Sequence, residues 1–255
     1  MRRTLAAFLL SMSAASVTTA GADDGLRVSL LHSEPWSYYS HGGNDAKSAP
    51  PRIDGIMPEI SKALARETGL EFRTQLTPYA RMWRDLKSGD CDLAYGIRSS
   101  DRDDYVRYAG YLFSFETLVI GRPGTRLRDY EDLRGLHVGL LQDIRLNPKF
   151  DHDGHINKHE FRDYETMIEM LLAGRLDAVA GNSVSLHYLL RKKQQPYQHW
   201  PRLTLQQTEV WAQFSRRSPR QADAEKINVA VDKLRRQGFF DDLLNRYQGS
   251  VKRAD

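Results

Sequence analysis

The sequence predicts an α/β protein of two similar lobes, each a mostly parallel sheet flanked by helices and joined to the other by two crossings. Two observations carry this. The phrase Leu86-x-x-Gly89-x-x-Asp92, followed by Leu93-Ala94, returns with the same internal spacing as Leu171-x-x-Gly174-x-x-Asp177, followed by Ala178-Val179-Ala180. In each copy apolar residues at helical spacing (Met82, Trp83, Leu86; Met167, Met170, Leu171) precede a glycine able to take the left-handed conformation past a helix end, and a short buried strand follows. Strand and helix patterns also alternate along the chain, the order of a parallel sheet built from right-handed crossovers. Two such lobes leave a cleft between them. Ligands of open α/β sheets bind outside the carboxyl ends of the strands, here the loops after the strands that Asp92 and Asp177 open.

The elements follow in order. Arg2-Arg3, the apolar run Leu5 to Leu10 and the small residues reaching Thr19-Ala20-Gly21-Ala22 have the layout of a secretory signal peptide over residues 1–22, with cleavage expected after Ala20 or Ala22. The apolar run is too short to span a bilayer. Leu26 to Leu30 alternates as a strand and leads into a loop with Pro35, Trp36, Tyr38 and Tyr39. Residues 41–54, rich in Gly, Asn, Ser and Pro, read as an exposed excursion. Ile56, Ile60 and Leu64 mark a helix that stops at Gly69, and Leu70-Glu-Phe72-Arg-Thr alternates again.

Phe113 to Ile120 is apolar and β-rich, and Gly121-Arg-Pro123-Gly124 breaks it. Lobe 1 is therefore expected over 23–120, lobe 2 over 121–205, and a return to lobe 1 over 206–255. Lobe 2 opens with a short helix at Asp129–Leu133 and the strand Leu136–Leu141, and a loop spans Gln194 to Arg202. Thr208 to Ser215 reads as a returning strand, and Ala224 to Tyr247 as helical.

Composition narrows the function classes. At 255 residues and 40% hydrophobic the chain can bury one large or two small cores. Removing the leader takes Arg2 and Arg3 from a formal charge of +4, too weak a remainder to point to nucleic acid or anionic membrane. Arg191-Lys192-Lys193, Arg216-Arg217 and Arg235-Arg236 read as solvated faces. Cys91 is the single cysteine, so no internal disulfide forms, and beside a buried strand it reads as a small core residue.

Several stretches stand in a recognisable order: Leu26-Arg-Val28 with Pro35-Trp36; Gly55-Ile-Met-Pro-Glu-Ile60; the first Leu-x-x-Gly-x-x-Asp; Arg102 with the aromatic run Tyr108–Phe113; Leu133-Arg-Gly135-x-x-Val138-Gly139; the second Leu-x-x-Gly-x-x-Asp; and Gly238-Phe-Phe-x-x-Leu243. Together they resemble the family 3 periplasmic solute-binding proteins, receptors of ABC importers for polar amino acids and related molecules. The resemblance covers essentially the whole mature chain. It implies the two-lobed periplasmic-binding-protein fold (type II), hinge closure on a small-molecule ligand, a membrane permease as partner, a monomer, no cofactor, no metal and no chemistry on the ligand.

It also implies site residues. Arg102 matches the arginine that forks onto a ligand carboxylate, a task suited to a permanently charged group with two parallel donors. Its loop is shorter than usual, which leaves Arg98 as a rival, and Ser99 and Ser100 stand for the usual hydroxyl donors. Trp36, Tyr38 or Tyr39 falls where the family places an aromatic wall, and Arg81 where some branches carry a second anion contact. In lobe 2 the matching positions are Gln142, Asp143 and Asn182. The chain departs from the amino-acid binders twice: Gln142-Asp143-Ile144-Arg145 replaces a Gln-Gly-Thr/Ser turn, and Asn182 replaces the aspartate that pairs with the ligand ammonium. Losing that charge removes a charge-assisted bond of about 1.5–3 kcal/mol. Either Asp143 or Glu34 supplies the charge, or the ligand has no ammonium.

Other constellations are discounted. Aligning the run Lys149 to Glu160 with a calcium loop puts Lys149 where a carboxylate is required, and Gly154 interrupts any helix that would gather His152, His155 and His159. Ser183 lacks a nucleophile elbow. Two further functions stay open: a periplasmic dehydratase-like enzyme on the same fold, with Glu34, Asp143 or His32 as acid or base, and an accessory or sensing binding protein.

Overall fold

A computed structural model describes residues 25–40, 52–142 and 144–249. The leader, the core of the excursion (41–51) and Asp143 lie outside the described residues. In the first half the elements are β1 (Leu26–Leu31), β2 (Tyr38–Ser40), β3 (Arg52–Asp54), α1 (Ile56–Thr68), β4 (Phe72–Thr77), α2 (Tyr79–Ser88) and β5 (Leu93–Ile97). The long strand β6 (Val106–Gly121) leads to β7 (His137–Leu141), α3 (Pro148–His152), β8 (Asn157–Phe161), α4 (Tyr164–Leu172), β9 (Ala178–Asn182) and α5 (Ser183–Lys192). A second long strand, β10 (Arg202–Ser215), returns to α6 (Asp223–Arg236) and α7 (Phe239–Gln248).

The main sheet has the order β4-β1-β5-β10-β6-β9-β7-β8. β1 pairs parallel with β4 and β5, and β7 pairs parallel with β8 and β9. Between these triplets β6 and β10 run antiparallel to each other from Arg202 opposite Ile120 to Ser215 opposite Val106. They are the two crossing strands. β6 takes up β9 from Thr117 onward, ahead of the Gly121 break at which the sequence places the crossing. Near that point the buried Thr117 and Thr208 hydroxyls lie 2.8 Å apart.

The cores divide in the same way. Leu30, Ile56, Leu64, Tyr95, Phe214, Ile227 and Leu243 belong to one cluster of the first half, and Met82, Leu86, Cys91, Ala94 and Val106 to another. In the second half Leu118, Met167, Leu171, Val179 and Leu190 form one cluster, and Leu133, Val138, Phe150 and Ala178 a second. Val184 at the start of α5 joins the large core of the first half.

Each copy of the repeated phrase folds alike. Gly89 and Gly174 take left-handed φ values of 90° and 72° past α2 and α4. The backbone N–H of Asp92 donates to the Arg27 carbonyl and that of Asp177 to the His137 carbonyl, while the Arg27 and His137 N–H groups donate back to the two carboxylates at 2.9 and 3.0 Å. An arginine pairs with each carboxylate, Arg27 with Asp92 at 2.6 Å and Arg122 with Asp177 at 3.3 Å. The repeated aspartates thus brace the entry ends of the strands, and the cleft loops lie at the opposite ends.

Three elements exceed their sequence reading. The amphipathic pattern of α5 is blurred because Ser183, Ser185 and His187 are buried alongside Leu186 and Leu190. β6 and β10 begin earlier than expected, and Gly238, with φ 75°, divides the C-terminal helix in two.

Gly55 shows how tightly the first loop is set. The Ile56 and Met57 N–H groups donate to the Pro35 and Trp36 carbonyls, and a Cβ on Gly55, at φ +125°, would lie 2.7 Å from both oxygens. Gly55→Ala is expected to cost about 1–3 kcal/mol of stability. The check is the urea midpoint at constant m, and an unshifted midpoint would refute the constraint.

Candidate functional site

The carboxyl ends of β1, β4 and β5 turn into the segments His32–Ser37, Pro78–Tyr79 and Arg98–Arg102, and those of β7 and β9 into Gln142 and Asn182. Arg102 ends a single tight turn (Ser100–Arg102). Its Nη1 donates to the Ile97 carbonyl at 2.6 Å and its Nη2 to the Tyr79 hydroxyl at 3.2 Å, while the guanidinium lies 3.8 Å from the centroid of Trp83. Among the described residues it forms no ion pair; the neighbouring Asp103 instead accepts from the Tyr108 hydroxyl at 2.8 Å. None of these three partners, a carbonyl, a phenol and an indole, carries a negative charge.

Arg98 takes a different place. Its guanidinium is exposed and stacks against Tyr108 and Trp211, 4.8 and 5.1 Å from their centroids, beside the crossing strands. Ser99 is half-buried, its hydroxyl donating to Asp101 at 3.4 Å, and Ser100 is exposed.

The remaining sequence candidates divide. Trp36 is 5% exposed, stacked with Phe113 and tilted against Phe115, and its Nε1 donates to the Ser185 hydroxyl at 3.1 Å. It is a core side chain, because packing and an indole hydrogen bond consume it. Tyr39 is half exposed on β2, edge-on to His32. Arg81 turns along its own helix to Asp85 at 3.2 Å. Gln142 is exposed, and its backbone N–H donates to the Phe161 carbonyl. Asn182 caps α5, its Oδ1 accepting from the Ser185 N–H at 2.7 Å and its Nδ2 donating to the Tyr164 hydroxyl at 2.9 Å. That phenol is buried, and desolvation raises its pKa despite the Asn182 contacts.

Glu34 is engaged on both oxygens. Tyr188 Oη donates to Oε1 at 2.7 Å and Lys192 Nζ to Oε2 at 2.9 Å, so the loop after β1 is tied to α5 across the two halves. Burial and the Glu34 hydrogen bond push the Tyr188 phenol upward.

Sequence reasoning passed over Tyr79, Trp83 and Ile97. Tyr79 and Ile97 are large, exposed and at strand ends, and together the three set the Arg102 guanidinium. Tyr79 was visible in Pro78-Tyr79-Ala80-Arg81, since a proline after a strand followed by an aromatic marks a strand-to-helix turn at the cleft. Just before the run read against a calcium loop Asn147 caps α3, and within the run Lys149 lies over the Tyr130 ring at 3.6 Å. Among the described residues no group of three or more His, Cys, Asp or Glu side chains could hold a metal ion.

Two α/β halves joined by two strands, with a fixed guanidinium at the strand ends, define a bilobed binding protein. The sequence pattern of the bacterial extracellular solute-binding proteins, family 3, matches residues 28–250, and the chain belongs to that family. No match is found among curated proteins. The fold is similar to that of an ancestral cationic amino acid solute-binding protein, AncCDT-1 (15% identity, 88% of this chain and 95% of that one, TM-score 0.70). It is also similar to the arginine-, lysine-, histidine-binding protein ArtJ of Geobacillus stearothermophilus (16%, 90% and 97%, TM-score 0.65). A third similar structure is the periplasmic VFT2 domain of BvgS from Bordetella pertussis (17%, 87% and 92%, TM-score 0.64). Among the described residues no helix is long and apolar enough to cross a membrane.

Proposed function

We propose that this protein is a periplasmic receptor, acting as a monomer, that closes two lobes on one small carboxylate-bearing solute and delivers it to the membrane permease of an ABC importer. The observation that carries the reading is Arg102, positioned by Ile97, Tyr79 and Trp83 and without a carboxylate partner among the described residues. The lobes are residues 23–120 with 206–255, and 121–205, and they hinge near Thr117 and Thr208.

The solute is an acid without an ammonium group. Two structural neighbours are named for cationic amino acids, whereas here Asn182 is spent on a helix cap and Glu34 on Tyr188 and Lys192. The same saturation of Glu34 removes one of the three acid or base candidates of a dehydratase, and such an enzyme would have to use His32 or Asp143 against its substrate.

A thermal-shift screen pairs each organic acid with its α-amino counterpart. Ligand at a hundred times its dissociation constant stabilises the folded state by about 2.7 kcal/mol. The acid of at least one pair should raise the midpoint more than its amino counterpart does. A response confined to the amino members would place a negative charge in the cleft, with Asp143 as its source, and overturn the assignment.

A further inference from the structure

A cavity of about 820 Å³ lies between α5 and α7, against β6 and β10, and none of the cleft residues described above lines it. Its wall carries both signs of charge, in Arg202, Glu116 and Asp241, beside the apolar Phe115 and Leu244. The Arg202 side chain forms no ion pair among the described residues, and Glu116 accepts from the Thr204 hydroxyl at 3.0 Å.

His187, also on the wall, is 2% exposed and stacks on Tyr197 at 5.0 Å between centroids. Neither ring nitrogen has a partner at full hydrogen-bond geometry among the described residues, and the Gln248 side chain, also on the wall, makes only a weak contact with the ring. Burial, with the Arg202 charge, lowers its pKa to about 4, so the ring is neutral at physiological pH and offers one donor and one acceptor. Buried polar atoms are rarely left unpaired, and an under-bonded imidazole at the wall of a polar cavity has bonding capacity to offer a guest.

We infer that this cavity is a second binding site, for a small zwitterion whose carboxylate meets Arg202, whose ammonium meets Glu116 and Asp241, and which lies against the imidazole of His187. A single-charge guest would leave one sign of the wall unanswered. The site is independent of the cleft around Arg102. Since α7 belongs to the core of the first half and α5 packs into a core of the second, an occupant touches both halves at the crossing strands and biases the hinge.

The test follows the His187 imidazole by nitrogen-15 NMR while the purified protein is titrated with L-serine, 3-hydroxypropionate (its acid half) and ethanolamine (its amine half). L-serine should shift the His187 signals saturably, with either half at least about tenfold weaker, as loss of a charge-assisted bond dictates. The shift should survive Arg102→Ala and disappear in Arg202→Gln. Glu116→Gln, which keeps an oxygen for Thr204, should weaken L-serine while leaving 3-hydroxypropionate unaffected. No His187 shift at millimolar L-serine, an equal response to one of the halves, or loss of the shift in Arg102→Ala would each overturn the proposal.

Discussion

Replacing Arg102 with alanine is expected to weaken binding of the carboxylate ligand we propose for the cleft by about one to two orders of magnitude, the worth of a charge-assisted hydrogen bond to a desolvated anion. The measurement is calorimetric titration with the acid that gives the largest thermal shift. Arg102→Lys keeps the charge but loses the fork, so it should fall between alanine and the parent. Arg98→Ala should leave affinity within a few-fold, because that guanidinium stacks on Tyr108 and Trp211. Full affinity in Arg102→Ala with loss in Arg98→Ala would move the anion contact to Arg98.

The largest stability effect is expected at Asp92, whose side chain is 1% exposed. It accepts from the Arg27 N–H, from the Arg27 guanidinium at 2.9 and 2.6 Å, and from the Ser218 hydroxyl at 2.7 Å. Breaking one partner of a fully buried pair costs about 3–5 kcal/mol, and because the Arg27 side chain is 44% exposed, Asp92→Ala should cost about 2–4 kcal/mol. The equivalent Asp177 is 27% exposed and its Arg122 is 45% exposed, so Asp177→Ala should cost about 1 kcal/mol. Chemical denaturation of the two variants side by side tests the ranking. Equal losses would mean that the repeat is energetically as well as geometrically symmetric.

The same carboxylate gives a pH dependence. Burial raises the Asp92 pKa, but the hydrogen bonds from Arg27 and Ser218, with the Arg27 charge, outweigh it and leave the group below its ordinary value. A carboxylate depressed in the folded state contributes stability above its unfolded pKa of about 3.9, and loses that contribution as pH falls through the folded value. Unfolding free energy should therefore drop below about pH 4, and Asp92→Asn should flatten part of that slope. Asp177 and Asp223 are depressed as well and account for part of the remainder.

Much of the fold was legible in the residues, since helix and strand signals are local. The repeated phrase, the left-handed glycines at 69, 89 and 174, α1 to its last residue, and the separation of two parallel triplets all follow from periodicity and punctuation. α5 was not legible, because its buried face includes Ser183, Ser185 and His187, which no hydrophobic pattern distinguishes from solvent-facing residues. The full lengths of β6 and β10 were hidden likewise, since cross-strand pairing admits polar residues such as Arg107, Gln206 and Gln207.

By itself the sequence determined that this chain makes two α/β halves with loops gathered at their strand ends, and it offered Arg102, with Arg98 as its rival, among those loops. Only the tertiary structure decided which loop side chains remain available. Trp36 is consumed by Phe113, Phe115 and Ser185, Asn182 by the start of α5, and Glu34 by Tyr188 and Lys192. The Glu34 partners lie more than 150 residues away along the chain. Such pairings depend on how the halves pack together, and a local pattern carries no record of that.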